Sequence, residues 1–221
     1  MFLKKFKIIL NKSCHRYLLE YHLRKTIKKN IKDNFNNLVV DFGCGNPRYK
    51  EYLPLSKWKL FDQKSSSKNV EFANEDYIPV DNADLFLCIE VIQYMNNKQV
   101  IKLGLEIERI LSNKGVAIIT VPYLYPCKHK EYMRLREPNN YFKLNKNLTI
   151  KYKGFGNLFS IIHDTFYQFI IYRKINFVKY IMFFIILPLK YLSLILEKKK
   201  LFQVDSGFIL LVASKKNKKF L

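Results

Sequence analysis

Asp41-Phe42-Gly43-Cys44-Gly45-Asn46-Pro47 follows directly on the apolar run Leu38-Val39-Val40. Two glycines one residue apart permit positive φ and let a ligand approach bare backbone. Asp62 stands 21 residues after Asp41, at the end of a second apolar run, Trp58-Lys59-Leu60-Phe61. A carboxylate so placed can accept two hydrogen bonds from a ribose diol. The full G-x-G-x-x-G fingerprint is missing, because Pro47 stands two positions after Gly45. A nucleoside without phosphates therefore suits this turn better than a dinucleotide. Groups for proton transfer and anion binding lie further along the chain. His129 is the best candidate general base, since a neutral imidazole accepts a hydroxyl proton near pH 7. The competing reading is a surface histidine between Lys128 and Lys130. His163-Asp164 is a second acid–base pair. Arg134 and Arg136 can grip a carboxylate or phosphate through bidentate bonds, or can belong to a solvated face. Cys14, Cys44, Cys88 and Cys127 form no CxxC knuckle, so neither a metal site nor a redox motif is expected. Free thiols in a reducing compartment are the simplest reading.

The elements that must position these groups can be read from apolar patterning. Leu38–Val40, Trp58–Phe61, Val70–Ala73, Leu85–Cys88 and Val116–Val121 read as five short strands. Asn97 is read as capping a helix along which Val100, Leu103, Ile107, Ile110 and Leu111 recur, and Gly115 as its terminator. Strands alternating with helices indicate an α/β domain with a mainly parallel sheet. From Pro122 to about residue 150 the chain is polar, aromatic and irregular. Helices are then expected near 157–172 and 176–197, and a last strand at Gly207–Ser214. Within the second helix Tyr180–Leu189 carry no charge, but ten residues fall well short of the roughly 20 needed to span a bilayer. The segment suits a core helix or an interfacial one with snorkelling lysines. Residues 2–21 have helical periodicity, with Phe2, Phe6, Ile9, Leu10 and Tyr17 on one face and Lys4, Lys5, Lys12 and Arg16 on the other. That basic amphipathic helix can dock on the domain or lie on an anionic membrane surface. Its longest apolar run, Ile8-Ile9-Leu10, is too short for a signal-peptide core, and a cytoplasmic protein, peripheral at the inner face of the membrane, is expected.

Across 221 residues the formal charge is +21, from 39 Lys and Arg against 18 Asp and Glu. Wholesale disorder is excluded by 49% hydrophobic and 15% aromatic residues. The charge is segregated. Residues 1–32 carry ten basic residues and one acid, residues 33–122 ten and twelve, and residues 123–221 nineteen and five. Codon bias explains a preference for Lys over Arg, but not basic ends around a slightly acidic middle. Both ends are therefore expected to meet an anionic partner.

Taken together, VVDFGCGNP, KLFDQ, the loop Ala73–Pro79, the stretch Asp84–Tyr94 and EIERILSNKGVAIITVPY resemble, in order and spacing, the class I S-adenosylmethionine-dependent methyltransferases. The resemblance implies a Rossmann-like, doubly wound, mainly parallel seven-stranded sheet, with an N-terminal amphipathic helix and a helical insertion before the last strand. It divides the chain into an N-terminal helical region (1–32), an S-adenosylmethionine-binding core (33–122), an acceptor-facing loop with apolar helices (123–206), and the last strand with a basic tail (207–221). It implies that Asp41, Gly43, Cys44 and Gly45 form the cofactor turn, that Asp62 with Gln63 meets the ribose, and that the loop Asn74-Glu75-Asp76 lies beside adenine. The acid of that loop falls on Asn74 or Asp76. Cys88 and Glu90 close the same cleft, whereas Gln93-Tyr94 replace a customary Glu-His pair and are given no catalytic role.

The residues after the fifth strand in such proteins face the acceptor, which brings in Tyr123 and Tyr125. Val121-Pro122-Tyr123 is not the N-P-P-Y type of segment that marks many amino-group methyltransferases, so O-methylation is favoured. Residues 123–138 resemble a loop of methyltransferases from cell-surface polysaccharide and glycolipid clusters. The leading expectation is O-methylation of a sugar or lipid-linked glycan precursor. An RNA methyltransferase and a non-catalytic cofactor-binding module are the alternatives.

Overall fold

A computed structural model describes residues 17–45, 49–63, 69–122, 148–171 and 176–214. These residues form two compact units. The sheet unit holds residues 24–45, 49–63, 69–122, 148–153 and 208–214, and the helical unit holds 17–23, 154–171 and 176–207.

The strands are β1 (Leu38–Phe42), β2 (Lys57–Phe61), β3 (Ala83–Ile89), β4 (Leu111–Pro122), β5 (Leu148–Asn157) and β6 (Gln203–Ser214), in the sheet order β2-β1-β3-β4-β6-β5. β1 runs parallel to both β2 and β3, and β3 runs parallel to β4. Val40 pairs with Lys59 on one side and Phe86 on the other. Apart from Asp41 and Asp84, β1 and β3 are apolar, because parallel strands are covered on both faces. Phe42 stacks on Phe86 at 6.0 Å, with Phe61, Leu85, Leu87 and Ile118 buried in the same unit. At the edge, Lys57 and Lys59 of β2 are exposed, which blunts an otherwise open strand. The strand order runs outward from β1, to β2 on one side and β3 on the other, so the β1/β3 boundary is the switch point where such sheets bind ligands.

The helices are α1 (Tyr17–Asn30), α2 (Asn97–Ile110), α3 (Leu158–Ile171) and α4 (Asn176–Lys199). Val100, Leu103, Gly104, Ile107 and Ile110 form the buried stripe of α2. Its N-cap is Asn96 rather than Asn97. The Asn96 side chain accepts from the Gln99 N–H at 3.0 Å, and the Gln99 side chain accepts from the Asn96 N–H at 2.9 Å. Gly115 does not end the helix, since Leu111 already leaves helical geometry. A Cβ at Gly115 would lie 2.5 Å from the Ala83 carbonyl oxygen, so the glycine permits β4 to approach the start of β3.

One strand expectation needs correction, and one strand is additional to those expected. Val70–Ala73 form no strand in the sheet, only an isolated bridge between Phe61 and Glu71. Phe72 is 72% exposed, so the segment has no second apolar face to bury. β5 was not anticipated. Lys151 and Lys153 interrupt its apolar pattern, and Gly154 and Gly156 weaken its strand signal. Six strands are seen among the described residues, against the seven implied by resemblance.

In the helical unit α3 packs on α4, and Phe155, Tyr167, Ile170, Ile186 and Leu196 are buried there. Its interior also holds a polar cluster around Glu197. That carboxylate accepts from His22 Nε2 at 2.7 Å, Asn157 Nδ2 at 3.2 Å, the Gly156 N–H at 3.4 Å and Gln203 Nε2 at 3.4 Å. Burial opposes ionisation of Glu197, but His22 and the other donors outweigh it and hold the carboxyl below its ordinary range. No described helix is long and apolar enough to cross a membrane.

Candidate functional site

A cavity of about 410 Å³ opens where β1, β2 and β3 end. That volume lies within the range of small-molecule sites. Its floor is the turn after β1. Gly43 and Gly45 have φ of 72° and 51°, the left-handed region that only glycine enters freely. The N–H groups of Gly43 and Cys44 both donate to the Phe61 carbonyl, at 2.8 and 3.1 Å. The Gly45 N–H donates to Asp62 Oδ2 at 2.8 Å. The turn is thus bound to the end of β2, and Asp62 is held at the cavity wall beside Gln63. A Cβ on Gly43 would come within 2.4 Å of Val91 Cγ2, so space and conformation both demand glycine there.

Asp41 is buried in β1 and does not line the cavity. Cys44 and Cys88 are buried as well, and neither lines it. Burial, reinforced by the Asp41 and Asp62 charges, pushes the Cys44 thiol up to about 12. Burial and then Asp41 push Cys88 up as well. Both stay protonated at neutral pH, which suits packing rather than nucleophilic chemistry.

The opposite wall begins at Glu90, whose φ of 55° is costly for a residue with a side chain. Its backbone is held from both sides. The Glu90 N–H donates to Thr120 Oγ1 at 3.0 Å, and its carbonyl accepts from Gln93 Nε2 at 2.7 Å. This turn sets Val91 over Gly43 and leads to Tyr94, Met95 and Gln99 on the cavity wall. Sequence reasoning passed over Val91, Met95 and Gln99, and considered Tyr94 only for a catalytic role. Gln93 itself is buried and holds the turn, and Tyr94 shapes the wall.

The third wall is the loop before β3. Asn74 Oδ1 accepts from the N–H groups of Asp76 and Tyr77, at 3.1 and 3.3 Å, and so closes its own turn. Asp76 pairs with Lys102 at 2.5 Å. Neither lines the cavity. Glu75, between them, is buried, lines the cavity and accepts from Gln63 Nε2 at 3.3 Å. Arg109 pins this loop to α2. Its Nη2 donates to the Ile78 carbonyl at 2.6 Å and to Glu106 at 2.8 Å, and its Nη1 donates to Asp81 at 2.6 Å.

His163 does not line the cavity. It lies in the interior of the helical unit, bonded to Asp164 at 3.0 Å and in ring contact with Tyr17 and Tyr167. Tyr123, Tyr125, His129, Arg134 and Arg136 lie outside the described residues.

No protein-family model matches the chain. A SAM-dependent methyltransferase from Archaeoglobus fulgidus superposes over 96% of this chain and 100% of its own, with a TM-score of 0.57 at 13% identity. The fold is that of the class I S-adenosylmethionine-dependent methyltransferases. Phosphoethanolamine N-methyltransferase 2 of Haemonchus contortus, solved with S-adenosyl-L-methionine, matches 89% of this chain and 53% of its own, with a TM-score of 0.52 at 12% identity. In sequence, an uncharacterized protein of Methanocaldococcus jannaschii is 28% identical over 139 residues, or 59% of this chain. The match spans 53% of that relative's length.

Proposed function

We propose that the chain is an S-adenosylmethionine-dependent methyltransferase that O-methylates a sugar or a lipid-linked glycan precursor. The observation that carries the first part is the cavity at the β1/β3 switch point, floored by the Gly43–Gly45 turn and flanked by Asp62. The residues present fit the cofactor. The two glycines expose backbone where a nucleoside can approach, and Asp62 offers a carboxylate for ribose hydroxyls. Glu75 with Gln63 supplies a polar wall, and Val91, Tyr94 and Met95 supply apolar surface that excludes water.

When bound, S-adenosylmethionine supplies an already activated methyl group on a sulfonium. The chain then has two tasks: to align an acceptor hydroxyl in line with that methyl and to take up the hydroxyl proton. His129 is the group proposed to take the proton. Tyr123 and Tyr125 would flank the acceptor, and Arg134 with Arg136 would hold an anionic group on it. O-methylation rests on Val121-Pro122-Tyr123 standing in place of an amine-type N-P-P-Y segment.

The test is transfer of labelled methyl from S-adenosylmethionine into a cell extract separated into lipid, glycan, RNA and protein fractions. Label in the glycan or lipid fraction, lost with His129→Ala, is expected. Label confined to RNA would replace the acceptor assignment while leaving the cofactor site in place. No label in any fraction, from protein that binds S-adenosylhomocysteine, would favour a non-catalytic binding module.

A further inference from the structure

We propose that the exposed face of α4 is a docking surface for an anionic lipid bilayer, with the helix lying along the membrane rather than through it. Ile181, Ile185, Leu192 and Ile195 are 48%, 63%, 39% and 51% exposed. Their spacing places them on a single stripe of the helix. The opposite side, with Ile186, Ser193, Leu196 and Glu197, is buried. An amphipathic helix normally turns its apolar stripe inward. α4 buries one face and shows a second apolar face to solvent, and a contiguous patch of that kind marks an interaction surface.

Charge identifies the occupant. Lys199 lies five turns after Ile181 and continues the stripe, with Lys198 and Lys200 beside it, all three exposed. Glu197 is the only acidic residue in α4, and it is turned inward onto His22 at 2.7 Å. The exposed surface of the helix therefore combines aliphatic side chains with positive charge and carries no carboxylate. An anionic bilayer satisfies both parts, because its acyl boundary takes the apolar stripe and its headgroups take the lysines. A second copy of the chain would offer no carboxylate from α4 to meet Lys198–Lys200. A nucleic acid would meet the lysines but leave the aliphatic stripe against a polar backbone. Residues 2–21 pair an apolar face with lysines in the same way in sequence. The helix is 24 residues long and contains Pro188 and Lys190 near its middle, a pattern that suits lying in the interface.

This surface is defined without reference to the cofactor cleft, and its test needs neither cofactor nor acceptor. The full chain is mixed with vesicles of phosphatidylcholine, or of phosphatidylcholine with phosphatidylglycerol, and sedimented at low and high salt. Pelleting with the phosphatidylglycerol vesicles, weakened by salt and absent with phosphatidylcholine alone, is expected. The double variant Ile185→Ser with Ile195→Ser should bind about tenfold or more weakly. The pair Lys198→Gln with Lys199→Gln should also lose about tenfold. All four side chains are exposed, so unchanged circular dichroism and melting are expected of both variants. Three results would overturn the proposal: no pelleting with phosphatidylglycerol vesicles, equal pelleting of the isoleucine variant, or a dimer by light scattering that the isoleucine variant dissolves.

Discussion

The Gly45 N–H donates to Asp62 Oδ2 at 2.8 Å, joining the turn after β1 to the first residue after β2. One carboxylate thereby shapes the glycine turn and stands at the wall of the cavity that the turn floors. Asp62→Asn keeps the size of the side chain and loses the charge. Weakening of S-adenosylhomocysteine binding by about tenfold to a hundredfold is expected, the loss of charge-assisted bonds of roughly 1.5–3 kcal/mol. Titration calorimetry on the variant, with melting as a control for folding, measures this.

Gly43→Ala should destabilise the protein by about 1–3 kcal/mol, since φ of 72° is strained for alanine and the new Cβ meets Val91 at 2.4 Å. Adding Val91→Ala should restore part of that loss, the part due to the clash, while the backbone strain remains. Urea denaturation of both variants separates the two contributions.

Arg109 acts from outside the cavity. Its guanidinium holds the Ile78 carbonyl, Asp81 and Glu106 together, and so holds the loop that carries Glu75. Arg109→Lys keeps the charge but loses the planar fork. Stability should fall by about 1–2 kcal/mol, with weaker S-adenosylhomocysteine binding, although the side chain touches no ligand. A urea midpoint and a binding isotherm test this together.

Glu197 gives the helical unit a pH dependence. Its carboxyl lies below the ordinary value of 4.5 in the folded protein. A lowered folded value means stability that is fully present above 4.5 and lost as pH falls from there through the folded value. Glu197→Gln should therefore flatten the fall in melting temperature over that acidic window and lower stability at pH 7. Melting curves at neutral and acidic pH distinguish this from a uniform loss.

The near half of the cavity was legible in the sequence because it depends on local chemistry. A buried strand, two glycines that can take positive φ, and an acid at the end of the next strand all leave marks in residue type. The far half depends on Glu90 adopting a left-handed conformation, for which glutamate has no preference. It is held there by Thr120 and Gln93, and Thr120 is thirty residues away. Only the family resemblance marked a turn after this strand; nothing in the residue types of Glu90–Tyr94 shows how it folds, so Val91, Met95 and Gln99 were missed and Tyr94 was considered only for a catalytic role. Asn74 and Asp76 drew attention by type, yet one closes its own turn and the other pairs with Lys102, leaving Glu75 to face the cavity. β5 was obscured for a related reason, since lysines and glycines hide strand periodicity when burial is decided by distant neighbours. α3 and α4, long and strongly apolar, were read to within two residues at each end.

Calorimetric titration of the full chain with S-adenosylhomocysteine tests the central claim most directly. Saturable binding at one site per chain, lost or strongly weakened in Asp62→Ala while that variant stays folded, is predicted. Absence of binding by the folded wild-type chain, or binding that Asp62→Ala leaves unchanged, would contradict the assignment of the cavity.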